Sequence, residues 1–465
     1  MKLAWNLLSF RFFAFLLGKF FLFRDFIFHR QPLIKDSIAY FEHLKFYIHN
    51  LEMGVYPLWD PQWYGGAPID FFLRRIGNFN PFFLFILILH KIGIPFRLAY
   101  LFFLAAYHLL GMIGFYKLAE LVIKDRRAVF CSFWFLLFSS LGTMLFFSFI
   151  HLVYVPLFWF FYFLIRFSQA PDKTGCLGVT LTLMIIATTY IPFYFFIIFI
   201  SFCILFILLY FRQLKPFIGQ VSSFSKKNRM LVVLCIGSLM LSCVPQLQLF
   251  KSSSDGQLVM PARHKASGEK SIFTVGTKKA TSGDAISQLY FDRLVNNHDK
   301  MVLGVVYFPT IGLFIFLLGL FTQIDRRVVL LTLLGFFLFL IAITNLAPIH
   351  AFLYQHLFIF KFIRQNYFFF WIAILPVLAL IIGIQCEKLL GHHRFKNFYL
   401  KLVGVSLLFF LCIMYLWKLS NVSYPTVIVL ILGYSFALVL LVISRKYSLP
   451  NIDKMEFLFL MGLFV

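Results

Sequence analysis

Acidic residues are scarce in this chain, and charged residues of either sign are few. The sequence has 18 Asp and Glu against 42 Lys and Arg, and charged residues make up 13% of its 465 residues. Soluble globular domains carry about 25% charged residues. Hydrophobic residues reach 61%, and the mean hydropathy is +0.89. These values exclude an ordinary soluble protein and indicate a polytopic membrane protein.

Cysteine and the common nucleotide and metal motifs are missing from the polar segments. All seven cysteines lie within or beside apolar stretches, so we expect neither a disulfide framework nor a zinc site. The sequence has no Walker motif, no Gly-rich dinucleotide fingerprint and no His-Glu-x-x-His, which argues against an ATP-driven pump. No cofactor is expected, and the sequence leaves a divalent cation open.

Apolar stretches recur along the whole chain, each near the ~20 residues that cross a bilayer as a helix. They predict an all-α polytopic membrane protein of about 12 transmembrane helices. The predicted spans are 5–23, 97–122, 128–148, 152–167, 176–190, 193–211, 230–249, 303–322, 328–344, 367–385, 399–417 and 425–443. Segment 81–94 is apolar but is interrupted by His90 and Lys91, so we predict that it is re-entrant or interfacial.

The distribution of Lys and Arg among the short loops predicts the orientation of these spans. With a cytoplasmic N-terminus, the basic loops all lie inside; they are 124–127, 166–173, 212–229, 326–327, 388–401 and 445–446. The chain then divides into three parts, which are a membrane module 1–249 with the first outer loop 24–78, an outer loop 250–302, and C-terminal membrane helices 303–465. In this arrangement the basic residues behind the formal charge of +24 lie at the membrane surfaces, so no nucleic-acid partner is expected.

The first outer loop contains an amphipathic pattern. Five apolar residues recur at spacings of three and four, which predicts one stripe along a helix: Ile38, Phe41, Leu44, Ile48 and Leu51. The polar residues, among them Glu42, His43 and Glu52, lie at other positions of the helix. A helix lying in the membrane interface fits this pattern. Asp36 stands at its start, where an acidic residue caps the helix N-terminus.

A constrained turn follows in the same loop, "YPLWDPQWYGGAP" at 56–68. Three prolines fix the backbone, and Gly65-Gly66 permits conformations that side chains forbid. Trp59 and Trp63 suit the headgroup level of a bilayer. An interfacial turn with an aromatic belt explains the tryptophans well, but it explains the Gly-Gly-x-Pro less well.

Taken together, these motifs resemble the YfhO-like bacterial membrane proteins and, more broadly, the GT-C superfamily of polyprenyl-phosphate-sugar glycosyltransferases. The first block of matching residues is Asp36, Pro57-Leu58-Trp59-Asp60-Pro61, Gly65-Gly66-Ala67-Pro68 and Asn80-Pro81. A late block, "FKFIRQNYFFFW", is similar to the Phe-Arg segment that opens a late helix in the family, with Tyr367 where the family has a second Arg. "VPQLQLFKSSSDG" is similar to the end of a middle span. The family runs on to an outer C-terminal domain, so the chain is expected to be truncated relative to it.

The resemblance implies an activity and a set of site residues. It implies transfer of a sugar from a polyprenyl-phosphate donor to an envelope glycopolymer, lipid or protein, at the outer side of the bacterial cytoplasmic membrane. Asp36 would act as the general base, with Asp70 as the second acid, and Arg364 would bind the donor phosphate. Arg74 and Arg75 are basic groups of the outer loop that also suit a lipid-linked phosphate. The turn that shapes the site would comprise Trp59, Asp60, Pro61, Gly65, Gly66 and Pro68.

Two other functions remain open at this level. One is a flippase or transporter of lipid-linked glycans that makes no bonds. A transporter is expected to carry polar groups deep in several spans, whereas the later spans here are almost purely apolar. The other is a catalytically inactive relative or a truncated product. Neither the sugar nor the acceptor follows from the sequence.

Overall fold

The computed structural model of this protein describes part of the chain. The described residues are 36–55, 59–60, 67–68, 80, 82–143, 148–188, 193–254, 308–320, 325–342, 352, 356, 366–391, 404, 406–411 and 414. The predicted spans 5–23 and 425–443 lie outside them, as does most of the outer loop 250–302.

Helices account for nearly all of the described chain, as the sequence predicts. In chain order they are α1 Asp36–Glu52, α2 Phe83–Lys91, α3 Phe96–Val122, α4 Arg126–Phe138, α5 Ser140–Thr143, α6 Ser148–Gln169, α7 Lys173–Thr188, α8 Phe193–Lys227, α9 Arg229–Ser254, α10 Thr310–Leu320, α11 Arg326–Ala342 and α12 Asn366–Gly391. Between α1 and α2, the strands β1 Trp59–Asp60 and β2 Ala67–Pro68 form a small antiparallel pair.

Four helical segments are long and apolar enough to cross a membrane. They are Phe96–Val122, His151–Gln169, Tyr194–Lys227 and Phe369–Lys388. They belong to α3, α6, α8 and α12 and match four of the predicted spans, so the all-α membrane class is confirmed. Two further apolar helices are shorter, Lys173–Thr188 and Arg229–Val244.

Two elements differ from the predicted span boundaries. The predicted span 128–148 is interrupted at Ser139, which is extended (φ −74°, ψ 169°) and ends α4 after 13 residues. A helix of that length rises only about 20 Å, less than the ~30 Å of a bilayer core. In contrast, α8 runs for 35 residues with a kink at Tyr210 (φ −119°, ψ 23°). The predicted inner loop 212–229 is therefore helical over most of its length.

The chain divides into two compact units. The first comprises residues 1–109 and 145–152, and the second comprises 110–144 and 153–465. In the first unit α1 packs on α2. The Phe41 ring of α1 lies edge-on against Phe96 and Tyr100 of α3, with centroid distances of 5.4 and 5.3 Å. The apolar side of α1 is thus covered by protein at its middle, around Leu44 and Ile48.

Helix α12 is the centre of the second unit. It packs against α4, α10 and α11, and 94% of its apolar window is buried. The Ser132 hydroxyl of α4 donates to the Ala379 carbonyl at 2.8 Å, and the Tyr154 hydroxyl donates to the Phe369 carbonyl at 2.6 Å. An apolar helix so enclosed by other helices is a core helix of a membrane bundle and faces little lipid.

Small residues allow α4 and α12 to approach closely. A Cβ atom added at Gly383 would lie 2.7 Å from the Ser132 Cβ and would also overlap the Ile123 side chain. Helices in membranes associate through such small-residue contacts because lipid offers no hydrophobic driving force between them. Gly383 is therefore a packing residue of the bundle.

Two similar sequences begin α4 and α11 in the same way. "DRR" at 125–127 and "DRR" at 325–327 each place an Asp just before the helix. Asp125 Oδ1 accepts the Arg127 backbone N–H at 2.8 Å, and Asp325 Oδ1 accepts that of Arg327 at 2.8 Å. Each Asp also forms an ion pair with the same Arg, at 3.0 and 2.7 Å. Each aspartate thus caps its helix and binds an Arg of the first turn.

Both aspartates have a pKa below the ordinary value. For Asp125 the largest cause is the hydrogen bond from the Arg127 side chain, which stabilises the carboxylate. For Asp325 the largest effect is burial, which by itself raises the pKa, but hydrogen bonds from Arg327 and the charges of Arg327 and Lys388 together outweigh it. The Arg partners therefore stabilise both side chains as ionised carboxylates.

Candidate functional site

The first unit contains the described part of the outer loop, and α1 is its first element. Asp36 is the first residue of α1, and its side chain lies outside the described part of the structure. The buried side of α1 centres on Leu44 and Ile48, which are 2% and 0% exposed. Both belong to the predicted apolar stripe, whereas Ile38 of the same stripe is exposed.

His43 differs from its predicted position. The periodicity places it among the polar residues of α1, but it is only 4% exposed. It is adjacent to Leu44 and one turn before Tyr47, which is also buried. The buried side of α1 is therefore wider than the predicted apolar stripe and includes the imidazole of His43.

The C-terminal end of α1 brings Glu52 near two histidines. Glu52 Oε2 lies 3.7 Å from His49 Nδ1, and Glu52 Oε1 lies 3.8 Å from His90 Nε2 at the end of α2. The opposite nitrogen of His90, Nδ1, is hydrogen-bonded to the Ile94 carbonyl at 3.0 Å. A ring nitrogen that donates to a backbone carbonyl fixes the tautomer and orients the imidazole. Glu52 and His90 thus lie side by side at the ends of α1 and α2, and the sequence offered no spacing signal for this proximity.

Two glycines end the helices that carry this pair. Gly54 follows α1 with φ +73°, and Gly93 follows α2 with φ +95°. The Gly93 backbone N–H donates to the His90 carbonyl at 3.0 Å. Left-handed backbone at a helix C-terminus satisfies the last carbonyls and turns the chain away. Both helices therefore stop within a few residues of Glu52 and His90.

The turn in the outer loop is closed by backbone pairing. Trp59 pairs with Pro68, and Asp60 pairs with Ala67, in an antiparallel register. The six residues between the strands include Pro61, Gly65 and Gly66, which lie outside the described part of the structure. Trp59, Asp60 and Pro68 are therefore placed on one small hairpin.

The remaining predicted site residues are not among those the structure describes. Asp70, Arg74, Arg75 and Arg364 lie outside the described ranges. Their assignment to acid–base chemistry and phosphate binding stays a prediction from the sequence.

Asn80 joins the end of the outer loop to the helices. It is 2% exposed, and its Oδ1 accepts the Phe82 backbone N–H at 3.1 Å. Its Nδ2 donates to the Tyr107 hydroxyl of α3 at 3.4 Å, and the Phe82 ring lies edge-on to Tyr107 at 5.2 Å. Asn80 is one of the motif residues, and its contacts attach the start of α2 to α3.

Two buried histidines meet in the same unit. His108 of α3 and His151 of α6 are 4% and 3% exposed. Their Nδ1 atoms are 3.4 Å apart, and their rings meet edge-on with centroids 4.7 Å apart. Catalytic zinc sites have at least three protein ligands. Among the residues that the structure describes, no group of three or more His, Cys, Asp or Glu could hold a metal ion.

Comparison with known proteins adds no family to this geometry: the chain matches no family model, and no curated protein is significantly similar to it.

Proposed function

We propose that this membrane protein is a glycosyltransferase. It transfers a sugar from a polyprenyl-phosphate donor to an extracytoplasmic acceptor, which is an envelope glycopolymer, lipid or protein. The proposal places it in the bacterial cytoplasmic membrane as a GT-C-type, YfhO-like enzyme whose reaction takes place at the outer surface. It rests on the motif residues of the first outer loop.

The observation that supports this proposal most directly is the hairpin of that loop. The pairing of Trp59 with Pro68 closes the segment that contains Gly65 and Gly66. This hairpin belongs to the same compact unit as α1, which begins at Asp36, and as buried Asn80. A loop that only anchors aromatic side chains at a headgroup layer has no need of such restraint, whereas a reaction site gains rate from fixed geometry.

The proposed reaction needs one base and one cationic group. The acceptor hydroxyl oxygen forms a bond to the anomeric carbon of the sugar, and its proton passes to the Asp36 carboxylate. The bond between that carbon and the phosphate oxygen breaks, and the electron pair leaves with the polyprenyl phosphate. An Arg fork matches the phosphate oxygens bidentately and stabilises the developing charge. Arg364, Arg74 and Arg75 are the residues proposed to donate hydrogen bonds to this phosphate.

A reconstituted transfer assay tests this proposal. The full-length protein is placed in proteoliposomes with polyprenyl-phosphate sugars and with extracted cell-envelope glycopolymer and lipid as acceptors, and formation of free polyprenyl phosphate is measured against a sample without acceptor. Asp36→Asn keeps a side chain of almost the same shape but cannot accept a proton at neutral pH. We expect it to accumulate normally and to lose on the order of 100-fold in transfer, the scale of general-base catalysis. Glu42→Gln, at an exposed position of the same helix, is the matched control and should retain transfer.

The other outcomes are equally informative. Near-wild-type transfer by Asp36→Asn excludes it as the base, and Asp70 and Glu52 are then the acids to replace. Movement of the donor across the bilayer without release of polyprenyl phosphate would identify a flippase. A loss of envelope glycan in cells without the protein, restored by the wild type and not by Asp36→Asn, would identify the acceptor.

A further inference from the structure

An open groove lies beside the turn between α6 and α7, in the second unit. Its volume is about 750 Å³, and one wall is the part of α8 beyond the kink at Tyr210. The polar groups that line it are Asp172, Lys173, Gln220, Ser223, Lys227 and Asn228. Two lysines, a serine and two residues with side-chain amides thus line one opening.

The wall of the groove that α8 forms beyond Tyr210, called here the extension of α8, packs on α6. The rings of Phe224 and Phe167 meet edge-on with centroids 5.3 Å apart. Leu214, Phe217 and Val221 share the partly buried side of the extension with Phe224, at the three- and four-residue spacing of one helix side. The wall is therefore attached to the bundle.

The acid in the groove is already paired. The Asp172 carboxylate accepts from the Arg166 guanidinium at 2.7 Å and from the Gly175 backbone N–H at 2.7 Å. Among the described residues that line the groove, it is the one acid. The positive charges of Lys173 and Lys227 are consequently left to attract an anion from outside the protein.

The charge of the surrounding chain is one-sided. From position 173 to position 254 the sequence contains no Asp or Glu. Beside the groove, over positions 173–230, it carries Lys173, Arg212, Lys215, Lys226, Lys227 and Arg229. A surface that carries only positive charge attracts anionic ligands. The charge complementarity of this region points to an anionic ligand.

Large apolar side chains are exposed beside these charges. Phe211 is 72% exposed, Ile218 is 62% and Met230 is 78%. Apolar side chains next to Lys and Arg, at the end of a membrane helix, are typical of a surface at the boundary between lipid tails and headgroups. A ligand that carries both an anionic head and apolar chains matches this surface better than a free ion does.

We infer that the groove binds the phosphate headgroup of an anionic phospholipid. Lys173 and Lys227 donate to the phosphate oxygens, while Ser223, Gln220 and Asn228 lie where the polar head continues. The acyl chains lie along the exposed apolar residues of α8 and α9. The predicted topology assigns 166–173 and 212–229 to the cytoplasmic side, so the ligand belongs to the inner leaflet. This site is independent of the proposed transferase reaction.

Lipid titration of the purified full-length protein tests this inference. The delipidated protein in a neutral detergent is titrated with phosphatidylglycerol or phosphatidylcholine, and binding is measured by native mass spectrometry and by thermal stabilisation. We expect the phosphatidylglycerol affinity of Lys173→Gln/Lys227→Gln to be about 30-fold weaker than that of the wild type, since each cation near anionic lipid contributes about 1 kcal/mol. Lys173→Arg/Lys227→Arg keeps both charges and should bind close to the wild-type level.

The control is Lys226→Gln, an exposed residue of the same helix turn that does not line the groove. It should retain affinity within a few-fold. Equal affinity of the Gln double variant and the wild type overturns the site, and so does equal binding of the two lipids by the wild type. Stabilisation by millimolar inorganic phosphate that equals the effect of the lipid overturns the phospholipid as occupant. Unfolding of the Gln double variant would be seen in its melting temperature without lipid; the single variants Lys173→Gln and Lys227→Gln, each expected to bind phosphatidylglycerol about fivefold more weakly than the wild type, then decide the outcome.

Discussion

The Arg327 guanidinium at the start of α11 is bonded to the Glu387 carboxylate near the end of α12. Its Nη2 lies 3.2 Å from Glu387 Oε2, and the other oxygen of Glu387 accepts the Lys124 backbone N–H, just before α4, at 2.8 Å. Arg327 also donates to the Val122 carbonyl at the end of α3. Two side chains thereby join four helix ends in the second unit. The same contacts bring the predicted inner loops 124–127 and 326–327 to one end of that unit.

The first prediction concerns this network. Arg327→Ala removes the partner of Glu387, of Asp325 and of the Val122 carbonyl. The side chains of Arg327 and Glu387 are 29% and 15% exposed, so the loss should exceed that of a surface ion pair. We expect a destabilisation of about 1–3 kcal/mol, measured as a lower apparent melting temperature in detergent.

The neighbouring residue is the control for that prediction. Arg326 has the same charge and lies one residue away on an exposed position. Arg326→Ala should change stability by less than about 0.5 kcal/mol. If both variants melted at the same temperature, the network would contribute nothing.

The second prediction is a loss of stability in acid. Asp125 and Asp325 have pKa values lowered by their Arg partners from the ordinary 3.8. A carboxyl whose pKa is lower in the folded state contributes stability above the unfolded pKa and loses it as the pH falls through the folded pKa. The melting temperature should therefore fall as the pH is lowered below about 4. Asp125→Asn/Asp325→Asn keeps both helix caps, so its melting temperature should depend less on pH in this range. An unchanged slope would contradict the assignment.

The third prediction concerns the close approach of α4 and α12. Alanine is favoured over glycine in a helix by about 1 kcal/mol, yet a Cβ at Gly383 would overlap Ser132 and Ile123. Gly383→Ala should therefore destabilise the protein by about 1–3 kcal/mol through overpacking. Gly237 of α9 has no heavy atom within 4 Å of such a Cβ, so Gly237→Ala should be neutral or stabilising. Equal effects would show that propensity outweighs packing.

The fourth prediction concerns orientation in the membrane. In a background with all seven cysteines replaced, Met53→Cys and Ser222→Cys introduce one thiol each at exposed positions. The predicted topology places the first outside and the second in the cytoplasm. A membrane-impermeant maleimide should label Met53→Cys in intact cells, and Ser222→Cys only after permeabilisation. Labelling of both thiols from the same side would mean that an even number of spans separates them, which would contradict the predicted topology.

Predictions from the sequence succeeded where they depended on the transfer of apolar residues into lipid. Segments 97–122 and 367–385 are helices of the predicted type because a backbone in lipid must satisfy its own hydrogen bonds. Their boundaries were less predictable. The break at Ser139 lies inside an apolar run, so hydropathy did not indicate it, and hydropathy likewise did not indicate that the chain stays helical beyond the kink at Tyr210.

In the candidate site, too, the sequence indicated a helix but did not indicate which residues are buried or meet. The periodicity of residues 38–51 indicated the helix α1, but it did not indicate that His43 is buried. Glu52 and His90 are 38 residues apart in the sequence, and nothing in their spacing connects them. They meet because α1 packs on α2 and because each helix ends at a glycine of positive φ.

The sequence by itself determined the membrane class, the helical backbone and the location of several spans, since these follow from composition over about 20 consecutive residues. Only the tertiary structure decided which distant residues meet. Examples are His108 with His151, Arg327 with Glu387, and Lys173 with Lys227 around the groove. Such pairs depend on how helices pack and where they end, and packing is set by side-chain shape across the chain, which no local pattern records.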